Sequence, residues 1–158
     1  MLYAVFIMDN KTTAKVAKSL NLVLADSYAL MAQTHFCHWN VEGPGFFALH
    51  NAFEEQYTEL FAAIDEIAER VRALGKGHYA EGGLANLAKL SGIEELSLPA
   101  DDKAMVTALV KANEKLVKDA AKARDLAGDA GDSETEDLMI GRITVHEKTL
   151  WMLRSYLR

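Results

Sequence analysis

The sequence predicts an all-α protein in which four long helices form a bundle, with a short extra helix in the long connection between the second and third helices. Half of the 158 residues are hydrophobic and only two are proline, a composition that favours helices. Apolar residues recur at steps of three and four in separate long segments, as they do on one face of an α-helix. No segment of useful length alternates apolar and polar residues as a half-buried strand does.

The first long helix is expected to run from about Lys11 to Asn40, with Asn10 or Thr12 near its N-terminal cap. Its small and apolar residues follow one face at alternating steps of four and three: Val16, Leu20, Val23, Ser27, Leu30, Thr34 and Cys37. The Gly-Pro-Gly sequence of residues 43–45 then ends the helical pattern.

The second helix is expected to begin at about Phe46 and to end at the boundary between Leu74 and Gly75, because glycine is a common helix stop. Its apolar face consists of Leu49, Phe53, Tyr57, Leu60, Ile64, Ile67, Val71 and Leu74. Residues 76–100 form a long connection, in which the segment GLANLAKL predicts the short extra helix. Such a connection can carry the chain from one end of a bundle to the other.

The third helix is expected over about Asp101 to Ala127, with Asp101 or Asp102 at its N-terminus, and Asp132 or Ser133 is expected to cap the last helix. Four long helices with one long middle crossover describe a ferritin-like arrangement. The ordinary ferritin site uses Glu-x-x-His pairs inside one bundle, and this sequence contains no Glu-x-x-His. A metal site in this protein must therefore be built differently.

Composition limits the classes of function. The formal net charge of −6 makes the bulk surface unsuited to nucleic acid or to an anionic membrane. The single cysteine, Cys37, excludes an internal disulfide and fits a reducing cytoplasm. The apolar start lacks a basic segment and meets Asp9 early, so we interpret residues 1–10 as an N-terminal strap rather than a signal peptide or membrane span. The length predicts a single domain, residues 1–158.

Histidines and acids of the second helix form two pairs that suit a metal ion. His50 and Glu54 are four residues apart and therefore neighbours on the helix, and Asp65 and Glu69 form a second such pair. Imidazole and carboxylate ligands together suit iron, manganese and zinc.

These two pairs cannot hold one ion within a straight helix. His50 and Asp65 lie roughly 22 Å apart along the helix axis, although only about 60° separates them around it. Since a metal–ligand bond is about 2 Å long, the second pair must come from another copy of the helix. An antiparallel copy related by a two-fold axis would set His50 and Glu54 of one subunit against the partner's Asp65 and the partner's Glu69.

Two stretches of the sequence resemble the signatures of the Dps proteins, the small-shell branch of the ferritin-like superfamily. HWNVEGPGFFALHNAFE, from His38 to Glu54, is similar to the first signature, and IDEIAERVRALG, from Ile64 to Gly75, is similar to the second. The segment HEKTLWMLR of the last helix is similar to the family's ending. The resemblance implies a homo-oligomeric shell of twelve subunits with a ferroxidase centre across each two-fold interface. The metal ligands and catalytic residues that it implies are His38, His50, Glu54, Asp65 and Glu69.

Other positions extend the resemblance or depart from it. Many Dps proteins carry a lysine three residues before the first histidine of the signature, where this chain has His35, a further candidate for reaching the metal or its ligands. The GDxxTxD segment at residues 131–137 is similar to the segment that lines the three-fold pores of the family, so Asp132 and Asp137 are candidates for cation entry. Arg70, beside Glu69, is interpreted as a salt-bridge partner, and His146 as a structural histidine.

The expected function is the oxidation and storage of iron in the cytoplasm. Fe(II) would enter through acidic pores, lose electrons at the shared sites to an oxidant that the family suggests is hydrogen peroxide, and collect as Fe(III) oxide in the cavity. One alternative is a nucleoid protein that coats DNA, which the negative charge and the lack of a lysine-rich tail disfavour. Another is a metal-free structural or receptor-binding shell, which the complete ligand set disfavours.

Overall fold

The computed structural model describes residues 9–158, and this part of the chain forms five α-helices and no strand. The helices are α1 (Asn10–Asn40), α2 (Phe46–Ala73), α3 (Leu84–Ser91), α4 (Asp102–Asp129) and α5 (Ser133–Tyr156). The all-α prediction is confirmed, including the short helix in the connection between the second and third long helices. Apart from Asp9 and Asn10, the N-terminal strap expected over residues 1–10 lies outside the described residues.

The helix ends agree with the predictions to within two residues, with one correction at the first cap. The cap of α1 is Asp9, rather than Asn10 or Thr12, because the Asp9 carboxylate accepts hydrogen bonds from the backbone N–H groups of Lys11 and Thr12. The carboxylates of Asp101 and Asp132 cap α4 and α5 in the same way. Thus aspartate precedes three of the four long helices, where the positive end of the helix dipole favours its charge.

The long helices pair as α1 with α2 and α4 with α5, and α1 also packs on α4. The connection after α2 crosses to the other end of the bundle and lays α3 against α1. Asn21 on α1 fastens this connection, because its amide donates to the carbonyl of Tyr79 and its side-chain oxygen accepts from the N–H of Glu81. In contrast, α2 and α5 touch only lightly, and a cleft of about 300 Å³ lies between them.

The interior of the bundle is apolar along the predicted faces. Among the largest fully buried side chains are Leu20, Leu30, Phe53, Ile67, Leu109, Leu116 and Met139. Cys37 lies in the same core, and burial raises the pKa of its thiol to about 12, so this side chain acts as a small hydrophobe. No helix within residues 9–158 is long and apolar enough to span a bilayer.

Several large apolar side chains face away from this core. Phe47 and Phe61 on α2 are 80% and 70% exposed, and Trp39 and Trp151 are 65% and 66% exposed. Phe61 follows Glu54 by seven residues and precedes Asp65 by four, so it shares a helix face with both acids. The outward face of α2 is therefore partly apolar, which is unusual for a surface that meets only water.

Candidate metal centre

The bundle brings His38 and His50 together where α1 ends and α2 begins. Each imidazole bonds through Nδ1 to the backbone carbonyl of the other residue, at 2.9 Å in both directions. The two rings stack with their centroids 3.7 Å apart and their planes 21° apart. In the turn between the helices, a Cβ at Gly45 would collide with the hydroxyl of Tyr156 from α5, so glycine is needed there for α5 to pack on the turn.

This reciprocal pairing determines the tautomer of both histidines. A carbonyl oxygen only accepts hydrogen bonds, so Nδ1 of His38 and Nδ1 of His50 must each carry the proton. In the neutral imidazole, Nε2 then keeps its lone pair. The carbonyl of His38 also lies in the last turn of α1, where the helix itself supplies no donor, so the bond from His50 satisfies it. Metal-binding histidines are commonly oriented in this way, with the second nitrogen bonded to a carbonyl.

The three candidate acids lie on the exposed face of α2. Glu54 follows His50 by one helical turn, whereas Asp65 and Glu69 lie towards the other end of the helix. Within the described residues of one chain, no three histidine, cysteine or acidic side chains converge on a point that could hold a metal ion. His38 is buried and His50 half-buried, whereas the acids are exposed. The histidine pair with Glu54 and the pair of Asp65 with Glu69 are therefore two separate groups along α2.

Aromatic rings surround the histidine pair. Phe46 stacks on His50 at a centroid distance of 5.0 Å, and Tyr57 meets His38 edge-on at 5.3 Å. His35 lies 6.2 Å from His38, between Tyr57 at 4.3 Å and Trp39 at 4.1 Å. These contacts hold His35 beside the pair, but it does not touch the ring of His50 in the way that His38 does.

The two pore candidates have different environments. Asp132 is 4% exposed; besides capping α5, its carboxylate pairs with Arg70 at 2.6 Å and accepts from the hydroxyl of Thr135. A carboxylate engaged in this way has little capacity left for a passing cation, so of the two pore candidates these contacts favour Asp137, and the pore role of Asp132 stays a prediction. The ion pair also shows that the salt-bridge partner of Arg70 is Asp132. Asp137, one turn into α5, is exposed.

A second histidine site lies inside the bundle, where His146 is 2% exposed. Its Nε2 lies 3.0 Å from Nη2 of Arg142, and its Nδ1 lies 2.8 Å from Oδ1 of Asn113 on α4. Arg142 in turn forms a forked ion pair with Glu59 on α2. Burial, followed by the charge of Arg142, lowers the pKa of His146 to about 3, so this imidazole is neutral at physiological pH.

Sequence reasoning assigned His146 correctly to a structural position but missed the network around it. Neither Asn113 nor Arg142 was singled out from the sequence. The position of Asn113 in the helical repeat could have revealed the network. Asn113 is four residues after Leu109 and three before Leu116, both on the buried face of α4. A polar residue at such a position requires a buried partner.

A family model, related sequences and solved structures all match this chain to ferritin-like proteins or to Dps proteins. The ferritin-like domain family matches residues 17–158. The chain is 38% identical over 143 residues to the Bacillus anthracis protein named DNA protection during starvation protein 2, an alignment that covers 90% of this chain and 97% of that protein. The crystal structure of a Dps protein from Vibrio cholerae O1, described as a member of a broad superfamily of ferritin-like diiron-carboxylate proteins, matches with a TM-score of 0.90 and 33% identity over 100% of this chain and 98% of the other. The Dps protein of Bacillus brevis matches with a TM-score of 0.89 and 36% identity over 96% and 100% of the two chains.

Proposed function

The chain belongs to the Dps proteins within the ferritin-like family, and on that premise we propose that it is a ferroxidase that oxidises Fe(II) and stores Fe(III) inside a shell of identical subunits. The observation that supports this most strongly is the pairing of His38 and His50, which holds the proton of each ring on Nδ1 and leaves Nε2 to bind a metal, with Glu54 one helical turn after His50. Neutral imidazole and carboxylate are suitable ligands for Fe(II).

The proposed site is completed by a second subunit. Asp65 and Glu69 lie roughly 22 Å along α2 from the histidines, too far to share an ion with them in one chain. An antiparallel contact between two copies of α2 would bring both groups together twice, and it would cover the exposed Phe47 and Phe61. Six such dimers would form the dodecamer typical of the family.

In the proposed reaction, two Fe(II) ions each give up one electron to one molecule of hydrogen peroxide. The O–O bond is cleaved, and two Fe(II), one peroxide and two waters yield two units of ferric oxyhydroxide and four protons. Both electrons reach the same peroxide, so no hydroxyl radical leaves the site. The histidines and acids hold the ions and favour the higher charge of Fe(III), which is where carboxylate ligands contribute most.

Two further residues belong to this proposal. We propose that His35, held between Trp39 and Tyr57, contacts an ion or a water bound at His38, and that His38 and His50 are the principal nitrogen ligands. Asp137 is exposed near the start of α5, and we propose that it alone of the two pore candidates contributes to cation entry.

The relatives' names refer to DNA protection, and we propose that this chain would protect DNA by removing iron rather than by coating it. Its net charge is −6, so an assembled shell would repel phosphates. A gel-shift assay with plasmid DNA at neutral pH and physiological salt should therefore show no complex. A tight complex that dissociates at higher salt would instead indicate a local basic patch.

The shared site is tested by mixing two inactive variants. Chains with His50→Ala and chains with Asp65→Ala are each expected to oxidise Fe(II) slowly, because each substitution removes a ligand from every site. In a mixed dimer, both defects fall in one of the two sites and the other site keeps all its ligands. If the variants pair at random, about a quarter of all sites, and a similar share of the wild-type oxidation rate, should return.

A matched control uses two variants from the same half of the site. His50→Ala mixed with Glu54→Ala leaves a defect in each site of every dimer, so no activity should return. Mass spectrometry of the reassembled shells would verify the mixing. Recovery in neither mixture, or equal recovery in both, would contradict a site built from the two ends of α2.

A further inference from the structure

Helix α2, which carries His50, begins without a capping side chain. Aspartate carboxylates cap α1, α4 and α5, whereas the residue before α2 is Gly45, which has no side chain to accept from the free N–H groups of the first turn. Gly45 has a φ of −83° and a ψ of 0°, a right-handed conformation that is open to residues with side chains. The backbone at this position therefore does not require glycine.

The C-terminal end of α5 occupies the space beside Gly45. A Cβ there would collide with the hydroxyl of Tyr156 and would lie 3.2 and 3.3 Å from Cζ and Cε2 of its ring. The same hydroxyl donates a hydrogen bond to the carboxylate of Asp102 in the first turn of α4, and this bond raises the pKa of Tyr156. The other oxygen of Asp102 accepts from the N–H of Lys103 at 2.7 Å. Tyr156 thus connects the start of α2 to the start of α4.

The turn beside Tyr156 leads directly to the histidine pair. Residues 41–45 connect α1 to α2, and Phe46, the first residue of α2, stacks on His50 at a centroid distance of 5.0 Å. His38 and His50 each bond to the backbone carbonyl of the other across this turn. Because each bond joins a ring on one helix to a carbonyl on the other, both depend on the position at which α2 begins relative to the end of α1.

We propose that Tyr156 is a positioning residue for the metal centre: anchored on Asp102, it holds the turn at Gly45 in place of a helix cap and thereby keeps His38 and His50 paired. Tyr156 acts through the turn rather than on a metal ion. The pairing of the rings is a property of the chain without metal, whereas the consequence for iron rests on the proposed ferroxidase function.

A double-mutant cycle of Gly45→Ala and Tyr156→Phe tests this role. Gly45→Ala should push the hydroxyl of Tyr156 away from Asp102 and shift the turn, because the new Cβ needs the space of that hydroxyl. Tyr156→Phe removes the bond to Asp102 but keeps the ring over Gly45, so its effect should be of the same kind and smaller. With the hydroxyl gone, Gly45→Ala should add little further harm. The double variant should therefore resemble Tyr156→Phe rather than the sum of the two changes.

The first measurement uses the chain without metal. Nitrogen NMR of protein labelled at histidine should show the rings of His38 and His50 with the proton on Nδ1 in the wild type. In Gly45→Ala, both rings should lose this single tautomer, whereas His146, which bonds to Asn113 in the core, should keep it and serve as an internal reference. A general loss of packing would change all three rings together.

The second measurement is the Fe(II) concentration that gives half of the maximal oxidation rate. Gly45→Ala should raise it by about tenfold, as the loss of an outer contact to a metal ligand commonly does. Gly128→Ala is the matched control. A Cβ at Gly128 would also press on a side chain of α5, with a carboxylate oxygen of Glu136 at 2.9 Å, but Glu136 lies near the start of α5 and Tyr156 at its end. This control should leave both measurements at their wild-type values.

Two outcomes would overturn the proposal: histidine signals that do not change in Gly45→Ala, or a double variant as impaired as the sum of its two changes. If Gly45→Ala does not fold, Tyr156→Leu takes its place, because it removes the whole ring. Its histidine signals should change more than those of Tyr156→Phe, and unchanged signals would contradict the positioning role. A wild-type chain that oxidises no iron, but whose histidine signals respond as expected, would refute the ferroxidase function and leave the positioning role intact.

Discussion

The pair of His38 and His50 between α1 and α2 and the core residue His146 share one tautomer, but they meet different partners. In both regions, an oxygen acceptor holds the proton on Nδ1 and leaves a lone pair on Nε2. In the bundle this lone pair accepts a hydrogen bond from Arg142, whereas the pair of His38 and His50 has no such cation among its described contacts. The comparison teaches that one tautomer suits two roles, and that the group placed opposite Nε2 separates the pair proposed as metal ligands from the structural His146.

Two acids of α2, Glu54 and Glu59, also differ in the partners that they face. Glu54 and Glu59 are five residues apart, so about 140° separates them around the helix. Glu54 is therefore on the exposed side of α2, one turn from His50, and Glu59 turns towards α5 and Arg142. One helix thus supplies carboxylates both to an open site and to a closed ion pair.

The largest difference between the regions should be in stability. We expect His146→Ala to lower the free energy of unfolding by about 3 kcal/mol, because it leaves buried groups of Arg142 and Asn113 without partners and opens a cavity. His50→Ala should cost about 1 kcal/mol, the value of one partly exposed hydrogen bond. Urea unfolding followed by circular dichroism measures both changes. Equal losses would mean that burial does not distinguish the two sites.

For the rate of Fe(II) oxidation, in contrast, the substitution at His50 should have the larger effect. We expect His50→Ala to slow peroxide-driven Fe(II) oxidation by about 10- to 100-fold, because it removes a ligand. His146→Gln keeps a group that can accept from Arg142 and donate to Asn113, so its rate should stay within about twofold of wild type. Stopped-flow absorbance of the ferric product gives both rates. A slow His146→Gln variant would assign the buried network a part in oxidation.

A smaller effect should appear in the pH dependence of stability. The pKa of His146 is lowered from 6.5 to about 3, so below pH 6.5 the unfolded chain binds a proton that the folded chain does not. Stability is thus lost as the pH falls, by about 1 kcal/mol per chain between pH 7 and 5.5 through His146.

The test is a comparison of unfolding at the two pH values in wild type and His146→Gln. A variant is needed because Asp26, whose pKa burial raises to about 6, acts in the opposite direction: its folded form gains the proton first as the pH falls. His146→Gln should therefore lose about 1 kcal/mol less than wild type on acidification. Identical losses would show that His146 is not held neutral.

Much of the fold was predictable because its signals are local. The apolar steps of three and four placed all four long helices, and the GLANLAKL segment placed α3. The ends were less accurate: α4 extends to Asp129, two residues beyond the prediction, and Asp9 rather than Asn10 caps α1. A cap depends on which carboxylate reaches the free N–H groups, and several neighbouring polar residues compete for that role.

By itself, the sequence determined the helices, their buried faces and the separation of two ligand pairs along α2, since these follow from a rise of about 1.5 Å and a turn of about 100° per residue. Only the tertiary structure decided which side chains meet across helices. It stacked His38 on His50, engaged Asp132 with Arg70, and set Arg142 between Glu59 and His146. The contacts between helices join residues 12 to 83 positions apart in the chain, so the packing of whole helices determines them. Only Arg142 and His146, four positions apart on α5, are neighbours by local spacing.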